Sequence, residues 1–127
     1  MKIEHIALYV QDLAQARNFF CKYFGAKSNE GYYNPNTGFR SYFLTFQDGA
    51  RLEIMTKPEL TAARDKKSRF GYAHLAFSVG SREEVDRLTE LLQHDGYPVL
   101  SGPRITGDGY YESCILDAEE NILEITV

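Results

Sequence analysis

Two histidines and two glutamates recur in this sequence at matching places. His5 opens HIALYV, and His74 opens HLAFSV 69 residues later. Glu53 lies in LEIM and Glu124 in LEIT, 71 residues apart. Imidazole nitrogens and carboxylate oxygens are the donors that divalent transition ions take. Side chains alternate between the two faces of a strand. If Ile6, Leu8 and Val10 pack inward, then His5, Ala7 and Tyr9 share the opposite face. The same alternation leaves Glu53 opposite Leu52 and Ile54, His74 opposite Leu75 and Phe77, and Glu124 opposite Leu123 and Ile125. An ionised carboxylate half-buried among apolar neighbours is costly when unpaired, and a shared cation offsets that cost. The set therefore points to one divalent metal ion, with Zn, Ni, Co, Fe and Mn all compatible.

The elements that must position these four residues are legible as two copies of one plan. Each half begins with a strand, at 3–10 and 72–79. A helix follows, opened by a capping-box pattern: Asp12 with Gln15, then Ser81 with Glu84. Leu13, Ala16, Phe20 and Phe24 recur at helical spacing, as do Val85, Leu88, Leu91 and Leu92. Gly25 and Gly96 supply the stops. About three strands complete each half, with turns at Asp48-Gly49 and Glu120-Asn121. The expected architecture is α+β: two βαβββ modules, 1–57 and 71–127, joined by a charged linker at 58–70, forming one domain over 1–127 with a metal-binding cleft. The segment 101–112, SGPRITGDGYYE, reads as a turn-rich loop that places Arg104, Tyr110 and Tyr111 near the cleft mouth. Arg104 suits a substrate carboxylate or phosphate. The loop 31–41 offers Tyr32, Tyr33 and Arg40 in the same way. His94, at the end of the second helix, reads as a solvated charge partner of the helix C-terminus.

Bulk properties narrow the function class. The 127 residues are 43% hydrophobic and 25% charged, with a net charge of −4. That balance speaks against nucleic-acid binding, which favours a basic stripe. No apolar run approaches the ~18 residues needed to span a bilayer, and the apolar stretch Ile6–Val10 is too short for a signal peptide. Cys21 and Cys114 show no CxxC spacing and read as reduced thiols of a cytoplasmic protein. Gly-x-Ser-x-Gly is absent, so a serine hydrolase finds no support.

The HIALYV opening, the YAHLAFSV segment, the D-x-E-x-N turn and the closing ILEI together resemble the vicinal oxygen chelate superfamily, the group of glyoxalases, bleomycin-resistance proteins and extradiol dioxygenases. The resemblance covers essentially the whole chain. Its H…E…H…E set looks most like glyoxalase I, or lactoylglutathione lyase, with His5, Glu53, His74 and Glu124 at the four ligand positions. The resemblance implies a metal-dependent lyase or isomerase acting on a small hemithioacetal-type substrate through an enediolate, and a homodimer. It implies Glu124 as the base that moves the proton, with Glu53 second, and substrate contacts from Tyr9, Arg104, Tyr110 and Tyr111. The chain departs from bacterial glyoxalase I at Tyr9, where those enzymes commonly carry arginine, and at Lys57, where they often carry asparagine. Contacts to glutathione through those positions are not carried over. Within the superfamily the alternatives are a fosfomycin-type thiol transferase or an extradiol dioxygenase, which use two histidines and one carboxylate, and a metal-free drug-binding protein, which lacks the ligands.

Overall fold

The computed structural model describes residues 4–47, 49–60, 74–107 and 109–127. The chain divides into two compact units, Met1–Lys67 and Ser68–Val127. Most of the expected linker, 61–70, lies outside the described residues.

In the first unit β1 (His5–Tyr9) leads into α1 (Leu13–Phe24), followed by β2 (Lys27–Ser28), β3 (Tyr32–Tyr33), β4 (Arg40–Thr45) and β5 (Arg51–Thr56). The sheet order is β1-β5-β4-β2, with β3 also pairing β4. In the second unit β6 (Leu75–Ser78) leads into α2 (Arg82–His94), then β7 (Val99–Ile105), β8 (Tyr111–Leu116) and β9 (Ile122–Thr126), in the order β6-β9-β8-β7. Both units share one logic. The first strand lies parallel to the last, and the remaining pairs are antiparallel. This is the expected α+β plan of two modules, each with one helix and a mixed sheet.

The caps explain where the helices start. The Asp12 side chain accepts the Gln15 N–H at 2.9 Å, and Ser81 accepts the Glu84 N–H at 3.2 Å. Gly25 takes the left-handed conformation that ends α1, as its position in the sequence suggests. Each helix presents an apolar stripe to its sheet. Phe20 of α1 is buried, as are Leu44, Leu52 and Ile54 of the first sheet. In the second unit Val85, Leu88 and Leu92 of α2 are buried, as are Ile115, Leu123 and Ile125. Each such side chain contributes about 1.5–3 kcal/mol when fully buried.

Two segments differ from expectation. The strand after α1 is split into β2 and β3. Asn29 sits at the break, its side-chain oxygen accepting the N–H groups of Gly31 at 3.2 Å and Phe43 at 3.0 Å. The Asn29 backbone N–H still donates to the Phe43 carbonyl at 3.0 Å, so the side-chain bonds add to the pairing at the break. The segment 101–112 is not one loop. Residues up to Ile105 belong to β7, and β8 begins at Tyr111. Gly102 and Pro103 read as turn signals, yet β7 is an edge strand with register shifts at that point. An edge strand tolerates both residues at a bulge.

The turn between β8 and β9 is built on Asp117, which accepts the N–H groups of Glu119 at 2.9 Å and Asn121 at 2.8 Å. Glu120 pays for this turn with φ +62°. A left-handed residue other than glycine costs about 1–2 kcal/mol, and glycine restores about 0.5–1 kcal/mol of chain entropy to be lost. The first term is the larger. Glu120→Gly should therefore raise stability by about 0.5 kcal/mol in urea unfolding, with an unchanged m value.

Candidate metal centre

Alternation places the chemistry on the helix-free face of each sheet. Along β1 exposed His5, Ala7 and Tyr9 alternate with half-buried Ile6 and Leu8. Along β5 the buried residues are Leu52 and Ile54, which leaves Glu53 on the other face. Ala7 pairs with Glu53 and His5 with Arg51, so His5 and Glu53 lie diagonally on adjacent parallel strands of one face. The second unit repeats the arrangement. Ala76 pairs with Glu124, and His74 precedes β6 by one residue. There the two candidate ligands touch: His74 Nε2 lies 3.1 Å from Glu124 Oε2.

The first pair carries a supporting shell that sequence reasoning did not identify. Glu4 Oε2 lies 2.5 Å from His5 Nδ1, and Arg51 forms an ion pair with the same carboxylate. The hydrogen bond with His5, together with Arg51, holds the Glu4 carboxyl below the usual carboxylate range. A carboxylate on Nδ1 fixes the ring and leaves Nε2 as the donor for a cation. The His5 ring also meets Phe43 edge-on, with centroids 5.4 Å apart, and the Arg51 guanidinium lies over that same phenyl ring at 4.3 Å. Adjacency of Glu4 and His5 is the one trace of this contact in the sequence, and it does not fix the rotamers that make it.

In the second unit more donors join. Cys114 pairs directly with Glu124 across β8 and β9, and its Sγ lies 3.7 Å from Glu124 Oε1. Glu112, Cys114 and Glu124 each offer one ligand atom, all within 4.8 Å of one another. Two donors at ~2.0–2.3 Å from one ion are separated by at most about 4.6 Å, so this spacing is that of a slightly open coordination shell. The carboxylate and thiol groups of this set fit a borderline divalent cation. Burial raises the Cys114 thiol pKa, and Glu124 and Glu112 add to that, while a hydrogen bond with Ser101 opposes it.

The expected substrate contacts are placed unevenly. Tyr9 is exposed on the same face as His5, with the Lys57 ammonium 5.5 Å from its ring centroid. Arg104 pairs with Glu112 in register, its Nη2 4.0 Å from Glu112 Oε1, so it borders the donor set. Tyr110 is exposed in the turn before β8. Tyr111 turns the other way. Its hydroxyl donates to Asp86 of α2 at 2.6 Å, and Arg82 lies over its ring, which puts it on the helix side of the sheet. Its neighbour Glu112 holds the donor face, and a strand cannot give both residues the same face. Tyr32, Tyr33 and Arg40 line a hollow of ≈ 320 Å³, next to one of ≈ 520 Å³ at the start of α1. Neither hollow is lined by His5 or Glu53. His94 is exposed beside Asp95, 3.1 Å away, as expected of a solvated helix end.

Comparison with known proteins adds to this geometry. The family model described as Glyoxalase/Bleomycin resistance protein/Dioxygenase superfamily matches residues 2–125. The uncharacterized protein YqjT of Bacillus subtilis is 34% identical over 115 residues, covering 86% of this chain and 85% of that protein. Among solved structures, a glyoxalase family protein from Enterococcus faecalis superposes with a TM-score of 0.80 at 22% identity, covering 99% of this chain and 97% of that one. The trypanothione-dependent glyoxalase I of Leishmania major gives 0.78 at 19% identity, covering 99% and 86%. Lactoylglutathione lyase from Agrobacterium tumefaciens gives 0.69 at 22% identity, covering 98% and 91%. At these identities the structural matches establish the fold alone.

Proposed function

The chain belongs to the Glyoxalase/Bleomycin resistance protein/Dioxygenase superfamily, and on that premise we propose that it is a metal-dependent lyase or isomerase of the glyoxalase I kind, acting on a small hemithioacetal-type substrate. The observation that carries this reading is the paired placement of histidine and glutamate on the open face of each sheet, with His74 and Glu124 3.1 Å apart. The proposal assigns His5, Glu53, His74 and Glu124 to one divalent ion, Zn, Ni, Co, Fe or Mn, with the donors drawn from one chain or from the two chains of a homodimer in the cytoplasm. A retained Glu53 supports this reading over a transferase or dioxygenase centre with a single carboxylate.

When bound, the cation would supply Lewis-acid polarisation of two adjacent substrate oxygens. The chain's own contribution is the base. Glu124 takes the proton from one carbon and returns it to the neighbouring carbon, so a single carboxylate serves both transfers. Arg104 offers a guanidinium for a substrate carboxylate, and Tyr9 and Tyr110 offer aromatic surface.

The test is elemental analysis of purified protein followed by a hemithioacetal isomerisation assay. About one metal ion per chain, with turnover on the adduct of a 2-oxoaldehyde and a thiol, is expected. Absence of turnover with glutathione and with other thiols, on fully metallated protein, would rule the reaction out. The supporting shell gives a subtler check. Glu4→Gln removes the charge that orients His5, and outer partners of this kind are worth about 10–100-fold in metal affinity. Titration against a chromophoric chelator should show a weakening in that range, with the fold intact because Glu4 is exposed.

A further inference from the structure

The four ligand positions do not exhaust the donors on the second sheet. Cys114 lies directly across from Glu124 in the β8–β9 register and on the same face. The two oxygens of Glu124 are divided between neighbours: Oε2 lies 3.1 Å from His74 Nε2, and Oε1 lies 3.7 Å from Cys114 Sγ. Glu112 completes a set of ligand atoms within 4.8 Å of one another. We propose that Cys114 is itself a metal donor, its sulfur binding the ion that Glu124 holds, with Glu112 as the third donor of the set, so that the site selects thiophilic cations such as zinc, cobalt and cadmium over manganese or magnesium.

Electrostatics favours this assignment. The side chains of Glu112 and Glu124 are only 14% and 19% exposed. Two carboxylate charges at that burial disfavour each other, and a cation between them offsets that cost. Arg104 stands 4.0 Å from Glu112, and His74 3.1 Å from Glu124. A divalent cation is the group that answers all three donors at once. Thiolate is the softest ligand in the set, and soft ligands favour zinc-like ions over hard ones. On binding, the S–H bond breaks, the sulfur keeps the electron pair for the metal, and the proton passes to water.

The proposal rests on the metal-centre reading above, and cobalt separates the two. Protein loaded with Co(II) and counted by elemental analysis should show the near-ultraviolet sulfur-to-cobalt charge-transfer band. Cys114→Ser should still bind about one cobalt per chain and lose the band. It should also lose cadmium affinity by more than manganese affinity, by about tenfold or more, because a direct donor is worth no less than an outer partner. Wild-type protein that binds cobalt without the band overturns the Cys114 assignment and leaves the metal centre standing. A band that survives in Cys114→Ser overturns it equally, since Cys21 on α1 would then be the source. Failure of wild type to bind cobalt or any other divalent ion ends both readings. The wild-type spectrum decides the matter even if the serine variant does not fold.

Discussion

Glu124→Gln protein, saturated with metal, is expected to isomerise a hemithioacetal with kcat about 10²–10⁴-fold below wild type, the range that a positioned general base contributes. That loss corresponds to about 2.7–5.5 kcal/mol in the barrier. Glutamine keeps the shape and one neutral oxygen, so it still occupies a ligand position. It cannot take up a proton. The variant therefore separates two roles that alanine would confound. Metal content measured alongside kcat makes the separation explicit. If the ion is retained and kcat falls, Glu124 is the base. If the variant fails to retain the ion and kcat falls with it, the role of Glu124 is as a ligand. Glu53→Gln is the matched control, since Glu53 holds the equivalent position on β5 beside Ala7. A large loss in Glu53→Gln with near-normal turnover in Glu124→Gln would move the base to the first unit and refute the assignment made here.

The sequence carried much of the fold because its signals were local. The offset repeats, the Asp12 and Ser81 caps and the alternation around His5 and Glu124 each depend on residues a few positions apart. The face of every candidate ligand followed from a period of two. What it could not supply was cross-strand register. Cys114 meets Glu124 because the five-residue turn Asp117–Asn121 sets β8 against β9 in one alignment. A slip of one residue would have put Ser113 there instead. The strand expected at 112–116 begins one residue earlier, at Tyr111. With the strand beginning at Tyr111, its side chain must point to α2 while Glu112 points to the donors. Glu4 was overlooked because a glutamate beside a strand reads as solvent-exposed, and so it is; its hydrogen bond to His5 is a matter of rotamer, which spacing does not reveal.

Gly102→Ala is expected to be the most destabilising small substitution in the second unit, by about 3 kcal/mol or more in urea unfolding. Gly102 has φ +83°, a conformation that side chains resist. Space is the larger obstacle. An added Cβ would stand 2.4 Å from the carbonyl oxygen of Glu112 and 2.9 Å from Ser113 Cα. Both are backbone atoms of β8, so no rotamer change relieves the overlap. The contrast with other glycines fixes the scale. At Gly31 the obstacle is the Tyr42 ring at 2.7 Å, a side chain able to swing, and at Gly96 nothing lies within 4 Å. Substitution at Gly96 should cost only the backbone strain, about 1–2 kcal/mol. At Gly102 an overpacking term of about 1–3 kcal/mol adds to the same strain. The displaced strand would be β8, which carries Glu112 and Cys114. Metal affinity should therefore fall in Gly102→Ala even at denaturant-free conditions where the protein remains folded, and should not change in Gly96→Ala. Equal stability of the two variants would mean that β7 yields freely at its bulge and that the edge strand does not hold the donor strand in place.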